Sequence, residues 1–285
     1  MRLTTISRGA TDRGRSVVGE PPRLVSEIAI IDALTGGGFA PGLHLLAGPP
    51  GSGRSSWLST MARRAVLQGI PVISVCPQGD GADAVDRIHR GISGVADHPP
   101  QATDAERRAR ADAVLSRATI GVLEGPCRGT WELALEIGEL AHSRDGPMVL
   151  LLDDVERVFG EEMLPAVAED LAHLCVSRGV VAFVVTASTS VDTWRPEEAV
   201  EAWAAFGRWV SSVWSFLPED DPLHPSGIRD IRLLWARRGY AGLIRLAFLA
   251  HLNRFAALAT DTSGVPAEAA TDEERPEDGP PPPCP

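Results

Sequence analysis

The segment Gly48-Pro49-Pro50-Gly51-Ser52-Gly53-Arg54-Ser55 constrains this chain more than any other. It has the spacing GxxxxG followed by a basic residue and a serine. It comes directly after the apolar run Leu43–Ala47 and opens a helical pattern over Arg54–Gln68. Glycines at these places let successive backbone N–H groups turn inward on a phosphate, and a helix N-terminus adds the positive end of its dipole. Gly48, Pro49, Pro50, Gly51, Ser52, Gly53, Arg54, Ser55 and Ser56 are therefore the candidate nucleotide-binding residues, with the Ser55 hydroxyl placed to reach Mg²⁺. A Gly/Pro-rich turn that merely caps a helix shares the composition. The strand before, the helix after and an acidic strand end downstream favour the phosphate reading.

That acidic strand end is Val149-Leu150-Leu151-Leu152-Asp153-Asp154, about 100 residues after the loop. A carboxylate at the end of a buried strand is the pattern that holds Mg²⁺ through water beside bound phosphates. Asp153 is the candidate metal residue, and Asp154 is read as a helix or turn cap. Between and around these motifs, apolar runs at Leu43–Ala47, Pro71–Cys76, Ala118–Leu123, Met148–Leu152 and Val180–Thr186 alternate with helical patterns. The helical patterns lie at Arg54–Gln68, Ala82–Gly91, Trp131–His142 and Glu161–Arg178. Val/Ile/Leu runs without polar alternation imply strands covered on both faces, hence a parallel α/β sheet. Ser211–Leu217, Ile228–Trp235 and Leu243–Leu249 look like strands joined by turns, with Arg237-Arg238-Gly239-Tyr240 as a hairpin tip. The expected fold class is a mostly parallel central sheet flanked by helices, extended by antiparallel C-terminal strands. A charged helix over Asp104–Arg117 is expected to lie outside the core.

Composition sets the frame for the partners. The chain has 285 residues, is 44% hydrophobic, and carries a formal charge of −11. Seven acidic residues and one Arg after Thr260 account for −6 of that, so the body is much closer to neutral. Residues 1–25 are expected to be a flexible N-terminal arm, 26–260 one α/β domain, and 261–285 a disordered acidic, Pro-rich tail. No run of 18 apolar residues suggests a membrane span, and the Arg-bearing N-terminus has no apolar h-region. Cys76, Cys127, Cys175 and Cys284 are widely spaced and show no metal-ligand pattern, which fits a reducing cytoplasm. All 27 basic residues are Arg. Chemistry that needs an ε-amine is thereby excluded.

With both motifs placed, the chain resembles the C-terminal motor domain of DnaB-type replicative helicases, a RecA-like branch of the P-loop ATPases. The lead-in Ile31-Asp32-Ala33-Leu34-Thr35-Gly36-Gly37-Gly38-Phe39-Ala40-Pro41-Gly42 matches the family's LD-LTGG-PG pattern, which RadA- and KaiC-like ATPases share. Leu246-Ala247-Phe248-Leu249 with Arg254-Phe255 matches the more DnaB-specific closing segment, so the resemblance spans about residues 26–256. It implies ATP and Mg²⁺ as ligands, a homo-oligomeric ring, and single-stranded DNA as a partner in replication or repair.

The resemblance also shows where the chain departs from the family. The phosphate-loop Lys falls on Arg54, whose planar fork is larger than an ammonium. The water-activating Glu falls on Gln78, and an amide cannot take a proton from water. The polar sensor falls on Thr186, and the basic pair that reaches a neighbour's γ-phosphate falls on Trp235 and Arg237. Arg237 is thus a candidate arginine finger in trans or, equally, a solvated hairpin residue. Val191–Trp209 holds Asp192, Glu197, Glu198 and Glu201 beside Trp194, Trp203 and Trp209. That pattern suits an amphipathic helix at a packing or subunit interface better than a DNA groove. A bias toward Arg explains Arg54 but not Gln78. The expected function is an ATP-binding RecA-fold protein with impaired hydrolysis, with an active DNA-dependent helicase or a RadA/KaiC-like signalling ATPase as alternatives.

Overall fold

The computed structural model describes residues 2–5, 23–77, 81–94, 101–141, 147–186, 206–217 and 227–258. In chain order these hold β1 (Arg2–Thr5), α1 (Ala29–Leu34), β2 (Gly42–Ala47), α2 (Arg54–Leu67), β3 (Val72–Cys76) and α3 (Gly81–Ile92). There follow α4 (Asp104–Leu115), β4 (Ile120–Glu124), α5 (Thr130–Ala141), β5 (Met148–Leu152), α6 (Val155–Phe159), α7 (Leu164–Arg178) and β6 (Val180–Val185). The chain closes with β7 (Val210–Phe216), β8 (Ile228–Ala236), β9 (Gly242–Leu249) and β10 (Arg254–Ala257). The strands form one ten-stranded sheet in the order β1-β4-β3-β5-β6-β2-β7-β8-β9-β10. The block from β4 to β7 is parallel throughout, whereas β1 and the β7-β8-β9-β10 end pair antiparallel.

Each central strand feeds two cores. Val149 and Leu151 of β5, with Val181, Phe183 and Val185 of β6, face the core under α2 and α3. Met148, Leu150 and Leu152, with Val180, Ala182 and Val184, face the core under α5, α6 and α7. Because both parities are buried, the sequence shows apolar runs rather than alternation. Trp57 anchors α2 to the sheet: its ring lies 5.8 Å from those of Trp214, Phe216 and Phe255. Aromatic pairs of this kind contribute about 0.5–1.5 kcal/mol each beyond their burial.

Three expectations change. The charged helix α4 is not outside the core. Its N-terminus is closed by a Thr103–Glu106 capping box, and Ala111 is fully buried. Val114 and Leu115 pack against the same core, so one narrow apolar face holds a helix whose composition is otherwise that of a solvated one. Within the expected N-terminal arm, Arg2–Thr5 pair antiparallel with Gly121–Glu124 and cover the outer edge of β4. The helix expected from Glu161 begins as α7 at Leu164, after a 3₁₀ turn over Glu161–Met163, with a proline in the first turn. Of the segment Val191–Trp209, only its last residues are described. Trp209 ends a 3₁₀ turn over Gly207–Trp209 and packs under the Arg208 guanidinium, 4.7 Å from the ring centroid. Residues 6–22, Gln78, and the tail from 261 lie outside the described residues.

Candidate phosphate cleft

The loop expected to bind phosphate sits at the C-terminal end of β2, as the general rule for parallel α/β sheets requires. Two of its glycines are needed for shape. A Cβ on Gly48 would stand 2.8 Å from the backbone oxygen of Phe216, and Gly53 has φ +99 with the Phe255 ring 2.8 Å from where its Cβ would be. β10 thus packs directly beneath the loop, and the Phe255 N–H donates to Thr60 Oγ1 of α2 at 2.9 Å. No side chain caps the N-terminus of α2, and the bond that closes its first turn runs from the Trp57 N–H to the Gly53 carbonyl at 2.8 Å. The backbone N–H groups of the first helical turn are left to an external acceptor. Inside the loop, Ser52 Oγ is buried and has no hydrogen-bond partner among the described residues. A buried hydroxyl in that state costs about 1–3 kcal/mol, and a phosphate oxygen would remove the cost.

A cleft of about 370 Å³ opens beside the loop. Pro50, Arg54 and Ser55 form one wall, Asp153 and Asp154 another, and Thr186 closes the end of β6. Sequence elements about 100 residues apart therefore converge on one space, with Ser55 and Asp153 on the same cleft. Among the described residues no cluster of three or more His, Cys, Asp or Glu side chains is arranged to hold a metal alone. One carboxylate and one hydroxyl that leave the remaining positions to water and phosphate oxygens suit Mg²⁺, which dehydrates reluctantly. The donor set fits Mg²⁺–nucleotide.

Arg54 is the feature that departs from the expected chemistry. Its Nη1 donates to the Thr186 carbonyl at the end of β6. Burial pulls the guanidinium below its ordinary range, and Asp153, Asp154 and Glu156 push back. The side chain thus ties two walls of the cleft together. Asp154 is also more than a cap. It takes the N-cap position of α6 with φ +59, but its carboxylate makes no capping bond. It pairs instead with Arg157 at 2.8 Å, while Oδ1 stays buried without a hydrogen-bond partner. Burial raises its pKa and Asp153 adds to the rise, with Arg157 and Arg54 opposing. A non-glycine residue at positive φ directly after the candidate metal carboxylate marks local strain.

Sequence reasoning missed Arg87 and Arg157, which also line the cleft. A signal for Arg87 exists in the pattern: Ala84, Arg87, Ile88 and Gly91 recur at helical spacing, and all but Arg87 are buried. Gln78 lies outside the described residues. Trp235 is on β8, partly buried against the α7-side core. Arg237 stands at the other end of the sheet. Its backbone N–H bonds Ser211 O at 2.9 Å and its Nη2 donates to Arg208 O at 2.9 Å. Since β8 runs antiparallel to β7, Arg237 emerges at the N-terminal end of β2, away from its own cleft.

The architecture has counterparts among solved structures. One solved ATPase domain superposes with a TM-score of 0.72, over 85% of this chain and 93% of its own, at 14% sequence identity. A DnaB-like replicative helicase, whose structure was described with its interactions with primase, gives 0.71 at 14% identity over 85% of this chain. The fold is that of a DnaB-like ATPase domain. This chain corresponds to 65% of the length of that helicase. No protein-family profile and no curated protein sequence matches it. The likeness is therefore one of fold. Within the DnaB-like fold, the described residues include no helix long and apolar enough to cross a membrane.

Proposed function

We propose that this chain binds Mg²⁺–ATP in the cleft between its phosphate loop and the end of β5, and that it hydrolyses the nucleotide slowly or not at all. The observation that carries the reading is Arg54. It occupies the position that in this kind of loop reaches the β- and γ-phosphates, yet its guanidinium is committed to the Thr186 carbonyl. Binding is supported by the uncapped start of α2, the partnerless Ser52 hydroxyl, and the shared cleft of Ser55 and Asp153. Slow chemistry is supported by Gln78, which supplies no base where the resembled family has a Glu. General-base assistance is worth roughly 10²–10⁴-fold.

Bound Mg²⁺ would be held by the Ser55 hydroxyl and, through water, by Asp153, and would neutralise charge on the phosphates. The loop N–H groups and the α2 N-terminus orient those phosphates, and Arg54 closes the cleft toward β6. Arg237, on the opposite end of the sheet, acts on a nucleotide only from a neighbouring copy, so a ring or filament of copies in a role linked to DNA replication or repair belongs to the same reading. The test is ATP binding and turnover of the purified protein, with and without single-stranded DNA. Micromolar binding with turnover far below about 1 s⁻¹ is expected. DNA-stimulated turnover at or above about 1 s⁻¹, the range of ordinary enzymes, would overturn it.

A further inference from the structure

Among the described residues, three arginines line the phosphate cleft: Arg54, Arg87 and Arg157. Two of them are already engaged. Arg54 donates to the Thr186 carbonyl. Thr186 is buried, so the departure of Arg54 would strand a buried acceptor, and that cost holds the guanidinium in place. Arg157 pairs with Asp154 Oδ2 at 2.8 Å. Arg87 makes no hydrogen bond or ion pair among the described residues. Of the acids on its own helix, Asp83 forms no pair with it and Asp86 is bound to Arg90 at 2.7 Å.

The helix that carries Arg87 is firmly seated. Gly81, the first residue of α3, donates its N–H to Glu124 Oε1 at 3.2 Å, and a Cβ there would stand 2.6 Å from Val122 Cγ1. His89 Nε2 lies 3.0 Å from Asp112 Oδ1 of α4. Ala84, Ile88, Gly91 and Ile92 are buried on the inner face. Gly91 lets α3 approach α2, since a Cβ there would be 3.4 Å from Arg63 Cδ. Ala84 and Ile88 line the cleft beside Arg87, which is half-buried. A side chain ordered in this way before a ligand arrives loses less freedom on binding. Cys76, at the end of β3, marks the neighbourhood. Burial raises its pKa, the Ser74 hydroxyl and Arg87 lower it, and Asp153 and Glu124 raise it. Arg87 and the candidate metal carboxylate therefore flank the same part of the cleft.

We propose that Arg87 supplies the cation for the terminal phosphate of ATP, the task that Arg54 gives up by binding Thr186. The assignment rests on the ATP reading above. Mg²⁺ at such sites bridges the β- and γ-phosphate oxygens. With Mg²⁺ between Ser55 and Asp153, the terminal phosphate lies on the Asp153 side, which Arg87 lines. The planar fork of a guanidinium makes paired, charge-assisted bonds to phosphate oxygens. ADP has no phosphate at this place, so the cleft tells ATP from ADP through α3 and not through the cation of its phosphate loop.

The test is the dissociation constant of the full chain for Mg²⁺–ADP and for the Mg²⁺ complex of β,γ-imido-ATP. In Arg87→Gln the imido analogue should bind about 10–100-fold more weakly, the size expected for a lost hydrogen bond between charged groups. ADP should change by less than about three-fold. Arg87→Lys, which keeps the charge and loses the fork, should fall between native and Gln for the imido analogue. Thermal midpoints of both variants without nucleotide should match the native protein; a lowered midpoint would make Arg87 a folding residue instead. Equal losses for the two nucleotides, or no loss, would overturn the assignment and leave ATP binding standing. So would a selective loss of the imido analogue in Arg54→Ala with none in Arg87→Gln. A native protein that binds neither nucleotide would overturn the ATP reading, and the assignment with it.

Discussion

The two ends of β2 make opposite uses of the same strand. At its C-terminal end the backbone is left open: α2 has no side-chain cap, Ser52 Oγ has no partner, and Asp153 and Asp154 place negative charge across a narrow cleft. At its N-terminal end the polar groups are satisfied within the fold. His44 sits in a closed relay in which the Trp214 indole N–H donates to Ser212 Oγ at 2.7 Å. The Ser212 hydroxyl donates in turn to His44 Nδ1 at 2.7 Å, and His44 Nε2–H donates to the Ala40 carbonyl at 2.9 Å. Arg23 and Arg237 there are anchored to backbone carbonyls. The open end is suited to a ligand that completes it, and the closed end to stability and surface recognition. Substitutions at the two ends should therefore differ in kind, with ligand-dependent effects above and ligand-independent ones below.

The largest expected effect tests the slow hydrolysis proposed for the open end. Restoring Arg54→Lys with Gln78→Glu should raise steady-state ATP turnover by about 10²-fold or more, within the usual range for general-base assistance. No gain would mean that the walls of the cleft, and not these two side chains, limit the reaction. Next comes the closed end under acid. His44 has a folded pKa of about 4 against an ordinary 6.5, so the unfolded chain binds the extra proton first as pH falls. The stability tied to neutral His44 is present above pH 6.5 and is lost as pH drops toward 4, by up to about 3 kcal/mol. Urea melts across that window should show the loss in the native protein and a much flatter profile in His44→Phe. Equal slopes would place the acid sensitivity elsewhere.

A third, smaller effect returns to the open end. Asp153→Asn should weaken Mg²⁺-dependent nucleotide affinity by about 10–100-fold, the usual cost of removing a group that holds a metal through water. Metal-free nucleotide binding and thermal stability should change little. A comparable loss without Mg²⁺ would make Asp153 a folding residue. The smallest effect is Arg157→Ala. Its pair with Asp154 is largely exposed on the Arg side, so stability should change by less than about 1 kcal/mol. The Asp154 carboxyl should titrate higher still, because a charge that opposes its rise has gone. Carboxyl resonances followed by NMR would read this directly.

How far the sequence could be read depended on where each residue's energy came from. Strands β2 to β6 were legible to within a residue or two because burial on both faces writes a local run of apolar residues, whereas β7, read from Ser211–Leu217 as one of the antiparallel C-terminal strands, pairs parallel with β2. The loop Gly48–Ser55 was legible because its spacing is set by local backbone geometry. Short elements were not. α1, α6 and β10 have four to six residues each and are held by their neighbours, so they leave little periodic trace. α4 was misplaced because composition outweighed one buried Ala in an otherwise charged helix. Arg87 was passed over for a related reason: an Arg on an amphipathic helix is usually solvated, and only the packing of α3 over β3 turns this one into a cleft.

By itself, the sequence determined the parallel core, the loop Gly48–Ser55 and the acidic end of β5 that shares its cleft, and the presence of Arg54 and Gln78 where the resembled family uses Lys and Glu. Those are local properties, decided by the burial of runs and by the chemistry of single side chains. Only the tertiary structure decided what Arg54 does, because its partner, the Thr186 carbonyl, lies 132 residues away. Only the tertiary structure decided that Arg23, His44, Arg208 and Arg237 share one cavity. Parallel pairing brings distant segments to the same sheet end, and no sequence period records which ends will meet.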